Sequence, residues 1–98
     1  MKLILKGPFE ENVYSLMRKI GYHFVGKNRE EYNFIKPIGG DAFPRFDIYL
    51  KIEDQNLVIN LHLDQKRPIY KSTTAHSGEY EGDLVQKEME RIKQSLQK

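Results

Sequence analysis

The sequence predicts an α+β domain: a single antiparallel sheet of about five strands with two helices on one face, in the order β-α-β-β-β-β-α. Three observations carry that expectation. Residues 45–53 and 57–64 each alternate apolar and polar positions with period two across a short turn, the pattern of a hairpin with one buried face. Residues 9–20 and 84–96 space their apolar positions three and four apart, the pattern of helices with one buried stripe. Short polar turns join the middle strands, which makes them antiparallel neighbours whose apolar face needs a helical cover.

In chain order, residues 2–6 read as a strand with Leu3 and Leu5 on one side and Ile4 on the other, ended by Gly7-Pro8. Phe9, Val13, Leu16, Met17 and Ile20 form the stripe of the first helix. Glu10 and Glu11 fall in its expected first turn and Arg18 and Lys19 in its last, matching the helix dipole at both ends. Gly21 stops it. Residues 22–26 and 31–36 are strands around a turn at 27–30. Residues 37–44 hold two prolines and two adjacent glycines and read as a loop.

In the hairpin, Phe46, Ile48, Leu50 and Ile52 share one face, as do Leu57, Ile59, Leu61 and Leu63. Pairing Ile52 with Leu57 across the turn at 54–56 aligns both sets, whereas a slip of one residue would turn one set to water. The run from Gln65 to Gly82 has almost nothing to bury and reads as a long polar loop. After it, Asp83 with Gln86 suggests a capping pair. Leu84, Val85, Met89, Ile92 and Leu96 make the second helical stripe. The order resembles, in topology only, the half-repeat of the TATA-binding protein fold; a ferredoxin-like variant with an extra strand is the alternative. Neither implies a function.

The totals bound the function classes. The chain reads as one domain, residues 1–98, of a size that buries ~65% of its unfolded surface. With no cysteine it has neither disulfides nor thiolate metal sites. The longest apolar run is far short of the roughly 18 residues a membrane span needs, and the start lacks the apolar stretch of an export signal. A cytoplasmic protein with no membrane partner is expected. The net charge of +2 does not by itself announce a nucleic acid. Its distribution is more informative, since residues 65–78 hold Lys66, Arg67 and Lys71 and no acid.

The hairpin register brings Lys51 opposite Val58, Tyr49 opposite Asn60, Asp47 opposite His62 and Arg45 opposite Asp64. The last two pairs sit at the end that feeds the polar loop. As plain cross-strand pairs they would each add roughly 0.2–1 kcal/mol. As a site, Asp47 would orient His62 and raise its basicity.

Two functional readings follow from these residues. In the first, the protein is a small binding module for a phosphate-bearing partner such as nucleic acid, using the outer sheet face and the 65–82 loop. Arg45, Lys51, Lys66, Arg67 and Lys71 would hold phosphates, and Tyr49 and Tyr70 would stack or hydrogen-bond. In the second, His62, Asp64, His76 and Glu79 ligate a divalent metal, zinc or manganese, with Asp47 behind His62 and His23 as an extra ligand. That site would suit a hydrolase or phosphodiesterase. A purely structural or protein-interaction domain explains the same polar cluster as one that pins the hairpin and loop. Ser77-Gly78 is not a nucleophile elbow, and Gly39-Gly40-Asp41 lacks the ending and setting of a phosphate loop.

Overall fold

The structure is a computed structural model that describes residues 1–65 and 77–97, with the side chains of 77–81 left aside. Its elements are β1 (Lys2–Leu5), α1 (Val13–Lys19), β2 (His23–Asn28), β3 (Glu31–Pro37), β4 (Arg45–Glu53), β5 (Asn56–Asp64) and α2 (Ser77–Leu96). The five strands form one antiparallel sheet in the spatial order β1-β5-β4-β3-β2. This is the α+β arrangement expected from the patterning, and it is compatible with a TATA-binding-protein-like half-repeat.

The β4–β5 hairpin has the expected register along its whole length, from Arg45 opposite Asp64 to Ile52 opposite Leu57. It turns on two residues, Asp54 and Gln55, both at positive φ (52° and 73°). Two consecutive left-handed residues make the tight turn whose twist suits a hairpin, so Asn56 belongs to β5 and pairs with Glu53. β1 then adds to the free side of β5, with Leu3 opposite Ile59 and Leu5 opposite Leu57. Gly7 is required where β1 ends. Its N–H donates to Asn56 Oδ1 at 3.0 Å, and a Cβ there would overlap the Gln55 carbonyl oxygen.

Both helices lie on the same side of the sheet. Val13, Leu16 and Met17 of α1 and Val85, Met89 and Ile92 of α2 join one cluster with Leu5, Phe34, Ile48, Leu50, Ile59 and Leu61. The other face of the sheet carries no helix among the described residues.

Beyond shifts of one residue, three boundaries differ from the sequence expectation. α1 starts at Val13 rather than Phe9, because Asn12 takes the N-cap and its side chain accepts from the Ser15 N–H at 2.9 Å. Glu10 and Glu11 therefore precede the helix, with Glu11 paired to Lys19 at 2.6 Å, and Phe9 packs on the core from outside it. β2 runs on to Asn28, since a bulge between Phe24 and Gly26 keeps the ladder going as far as Asn28 opposite Glu31. α2 begins at Ser77, six residues before the expected Asp83 cap. Asp83 instead lies inside the helix, 3.7 Å from Lys87 one turn on. Residues 77–82 are thus helix and not loop.

Candidate binding face

The face of the sheet that carries no helix among the described residues is built by the outward positions of all five strands. One row across it runs Lys2, Asn60, Tyr49, Asn33, and the next runs His62, Asp47, Ile35, His23. Tyr49 and His62 are diagonal neighbours on the two central strands. Their rings meet edge to face with centroids 5.9 Å apart. Lys2 lies across Asn60 from Tyr49, and Lys51 is two residues on from Tyr49 along β4; both are exposed. The Asp47 charge, partial burial, and the charges of Asp64 and Glu31 all push the Tyr49 phenol up, against a smaller opposing effect of Arg45. Tyr49 therefore keeps its hydroxyl proton and remains a donor.

Asp47 faces His62 in register, but its carboxylate takes a different partner. Asn33 Nδ2 donates to Asp47 Oδ1 at 2.6 Å and also to the Ile48 carbonyl at 3.0 Å. Asp47 is only 7% exposed, on a face that carries no helix among the described residues. An amide donor satisfies a buried carboxylate without cancelling its charge. His62 is exposed and packs on Tyr49.

Arg45 lies opposite Asp64, and its Nε stands 4.0 Å from the carboxylate, too far for a hydrogen bond. That Nε is buried with no hydrogen-bond partner among the described residues. The guanidinium lies over the Phe43 ring at 4.3 Å, so its geometry is set by stacking as much as by charge.

Of the residues expected to form a site, the sheet therefore gathers Arg45, Asp47, Tyr49, Lys51, His62 and Asp64 on one face. Lys66, Arg67, Tyr70, Lys71 and His76 lie outside the described residues, and Glu79 is known only as a position in the first turns of α2. His23 shares the outer face with His62, but β4 and β3 stand between their strands. At the usual strand spacing that separates them by about 14 Å, beyond a shared metal ion. Among the described residues, no three His, Asp or Glu side chains converge as a metal-binding group.

A buried polar centre on the helix side was not among the expected site residues. The Tyr22 hydroxyl donates to Glu88 Oε2 at 2.7 Å. Arg91 donates from Nε to Glu88 Oε1 at 2.9 Å, and from Nη2 to Glu88 Oε2 and the Ile20 carbonyl, each at 2.8 Å. Burial works to raise the Glu88 carboxyl. Hydrogen bonds from Arg91 and Tyr22, with the Arg91 and Lys36 charges, outweigh it and hold the group below its ordinary range. Tyr22 is pushed strongly up by burial and by Glu88. The network ties the end of α1 and the entry to β2 onto α2. One sequence signal pointed to it: Glu88 sits on the stripe of Val85, Met89 and Ile92, an acid where an apolar residue is expected.

No match to this chain is found among protein-family models, curated proteins or solved structures.

Proposed function

We propose that the protein is a small binding module that holds a single-stranded nucleic acid on its open sheet face. The observation that carries this reading is the Tyr49–His62 ring pair at the middle of a face with no helix among the described residues, with Lys2 and Lys51 nearby. Unpaired bases present flat π-faces and stack on such rings with little regard to sequence. Lys2, Lys51 and the Arg45 guanidinium supply donors for backbone phosphates. The Asn33 amide is committed to Asp47, while Asn60, half-buried beside Tyr49, has an amide suited to base edges. Asp47 is turned into the sheet and paired, so its charge opposes a phosphate less than an exposed carboxylate would.

Fluorescence anisotropy with a labelled single-stranded oligonucleotide of about twelve nucleotides tests the reading. Three phosphate contacts predict that log K falls against log salt with a slope of about −2. Tyr49→Ala should weaken binding by roughly tenfold, the worth of one stacked base. An undetectable affinity at low salt, or one indifferent to salt, overturns the reading.

A further inference from the structure

β1 is an edge of the sheet, with β5 on one side and no strand on the other among the described residues. Its backbone groups divide by parity. The Met1 amino group donates to the Leu61 carbonyl at 3.1 Å, and the Leu61 N–H donates to the Met1 carbonyl at 2.7 Å. Met1 and Leu61 therefore form a hydrogen-bonded pair, and in an antiparallel ladder such pairs alternate with open ones. Leu3 with Ile59 and Leu5 with Leu57 are the next bonded pairs, while Lys2 with Asn60 and Ile4 with Val58 are open. The N–H and C=O of Lys2 and Ile4 thus point away from β5, as do those of Lys6 one step further on.

The Lys6 groups are already filled. Gln97, just beyond α2, accepts from the Lys6 N–H at Oε1 and donates from Nε2 to the Lys6 carbonyl, each at 3.2 Å. A side-chain amide stands where a neighbouring strand would place its backbone. Lys2 and Ile4 have no such partner among the described residues, and both are exposed. The open edge is therefore short, centred on Leu3 and stopped at one end by Gln97.

An open strand edge is completed by another strand, and this one is complementary to itself. Turned end for end about Leu3, it sets Lys2 opposite the second copy's Ile4, and Ile4 opposite the second copy's Lys2. Both pairs exchange N–H and C=O, which satisfies every open group on the two edges. Other registers that keep the faces aligned fail. Centring on Ile4 sets Lys2 against the second copy's Lys6, whose groups Gln97 holds. Centring on Lys2 sets two lysines directly opposite each other. In the Leu3-centred register the side chains agree as well. Leu3, partly packed on the core, meets its own copy, and Met1, 49% exposed, meets the second copy's Leu5. Ile4, 54% exposed, lies beside a lysine stem. The sheet's other edge is unlike this one, because the bulge between Phe24 and Gly26 of β2 breaks the even spacing of its outward groups.

We propose that β1 pairs with β1 of a second copy of this chain, antiparallel and centred on Leu3, in a closed two-fold dimer. The two sheets become one, and the faces proposed for nucleic acid run together at Lys2 and Ile4. The pairing does not itself depend on that reading. Few residues of each copy meet, which places the dimer in the weak, reversible class.

The test is sedimentation velocity of the full chain, without nucleic acid, over concentrations up to about 1 mM. The average mass should rise from one chain towards two and stop there, with a dissociation constant below about 1 mM. Ile4→Lys sets like charges opposite each other in both pairs and should weaken association at least about fivefold. Adding Lys2→Glu makes both pairs opposite in charge and should return the constant to within about twofold of the parent. In a mixture of isotope-labelled and unlabelled parent chains, filtered NOE spectra should show contacts between Leu3 side chains of different copies. A single-chain mass at about 1 mM, or growth past two chains, overturns the proposal. So does an Ile4→Lys variant that associates like the parent, a double variant no better than the single one, or a dimer without Leu3–Leu3 contacts.

Discussion

The Asp47 carboxylate takes its hydrogen bond from Asn33 on β3, at 2.6 Å, while His62 stands opposite it on β5. This divides the polar cluster on the open face into two parts. Asp47 and Asn33 form a joint between β3 and β4, and the exposed His62 packs with the half-buried Tyr49 as a separate ring pair. The joint bears on stability, and the pair is the part that the proposed binding uses.

Replacing Asn33 by Ala strands the buried Asp47 carboxylate without that donor. A loss of about 1–3 kcal/mol in unfolding free energy is expected. Adding Asp47→Ala removes the stranded group, so the double variant should be more stable than the sum of the two single losses implies. Urea unfolding of all four proteins gives the coupling directly, and strict additivity would show that the two side chains act separately.

The Tyr22–Glu88–Arg91 centre predicts stability lost at both extremes of pH. Glu88 is held below its ordinary value of 4.5 in the folded state. The folded protein thus binds this proton less readily than the unfolded chain. Its contribution is present above pH 4.5 and drains away as pH falls through the lower folded value. Tyr22 has the opposite sign. Its folded value lies well above 10.0, so its contribution is intact below pH 10 and declines as pH climbs past it. Thermal melts across pH should show both limbs. Tyr22→Phe should abolish its share of the alkaline limb and cost about 1–2 kcal/mol at neutral pH. An unchanged alkaline limb in that variant would contradict the assignment.

The turn at Asp54-Gln55 holds Gln55 at a φ of 73°, a backbone region where a Cβ is a burden. Gln55→Gly should raise stability by about 0.5–1 kcal/mol, because Asp-Gly suits this turn better than Asp-Gln. A higher midpoint in urea with an unchanged slope is the expected reading.

What was legible in the sequence follows how local each feature is. The β4–β5 register could be read because four inward apolar residues on each side penalise every slip by one. Tyr49, Asp47, Arg45 and Lys51 inherit their common face from that register alone. The helix starts were less readable. Asn12, Asp83, Glu10 and Glu11 are all good residues near a helix N-terminus, and only the hydrogen bond to Ser15 singles out Asn12. For α2, the lack of apolar residues up to Gly82 suggested a loop, yet its first turns are helical even with glycines at 78 and 82, each costing a helix about 1 kcal/mol. The Asn33–Asp47 bond was hidden by the loop of 37–44, which leaves the β3–β4 register open in a way a two-residue turn does not. Tyr22 and Glu88 are 66 positions apart, so their meeting depends on how α2 packs against the rest of the fold and no local pattern encodes it.

The most direct test of the nucleic-acid reading is to map the binding surface. Amide chemical shifts of the full chain should be followed while a single-stranded oligonucleotide is added at low salt. The account predicts shifts at Lys2, Tyr49, Lys51, Asn60 and His62, with little change at Tyr14, Phe24 and Ile52 on the other side of the sheet. Shifts confined to the helix-bearing side, or none at all, would contradict it.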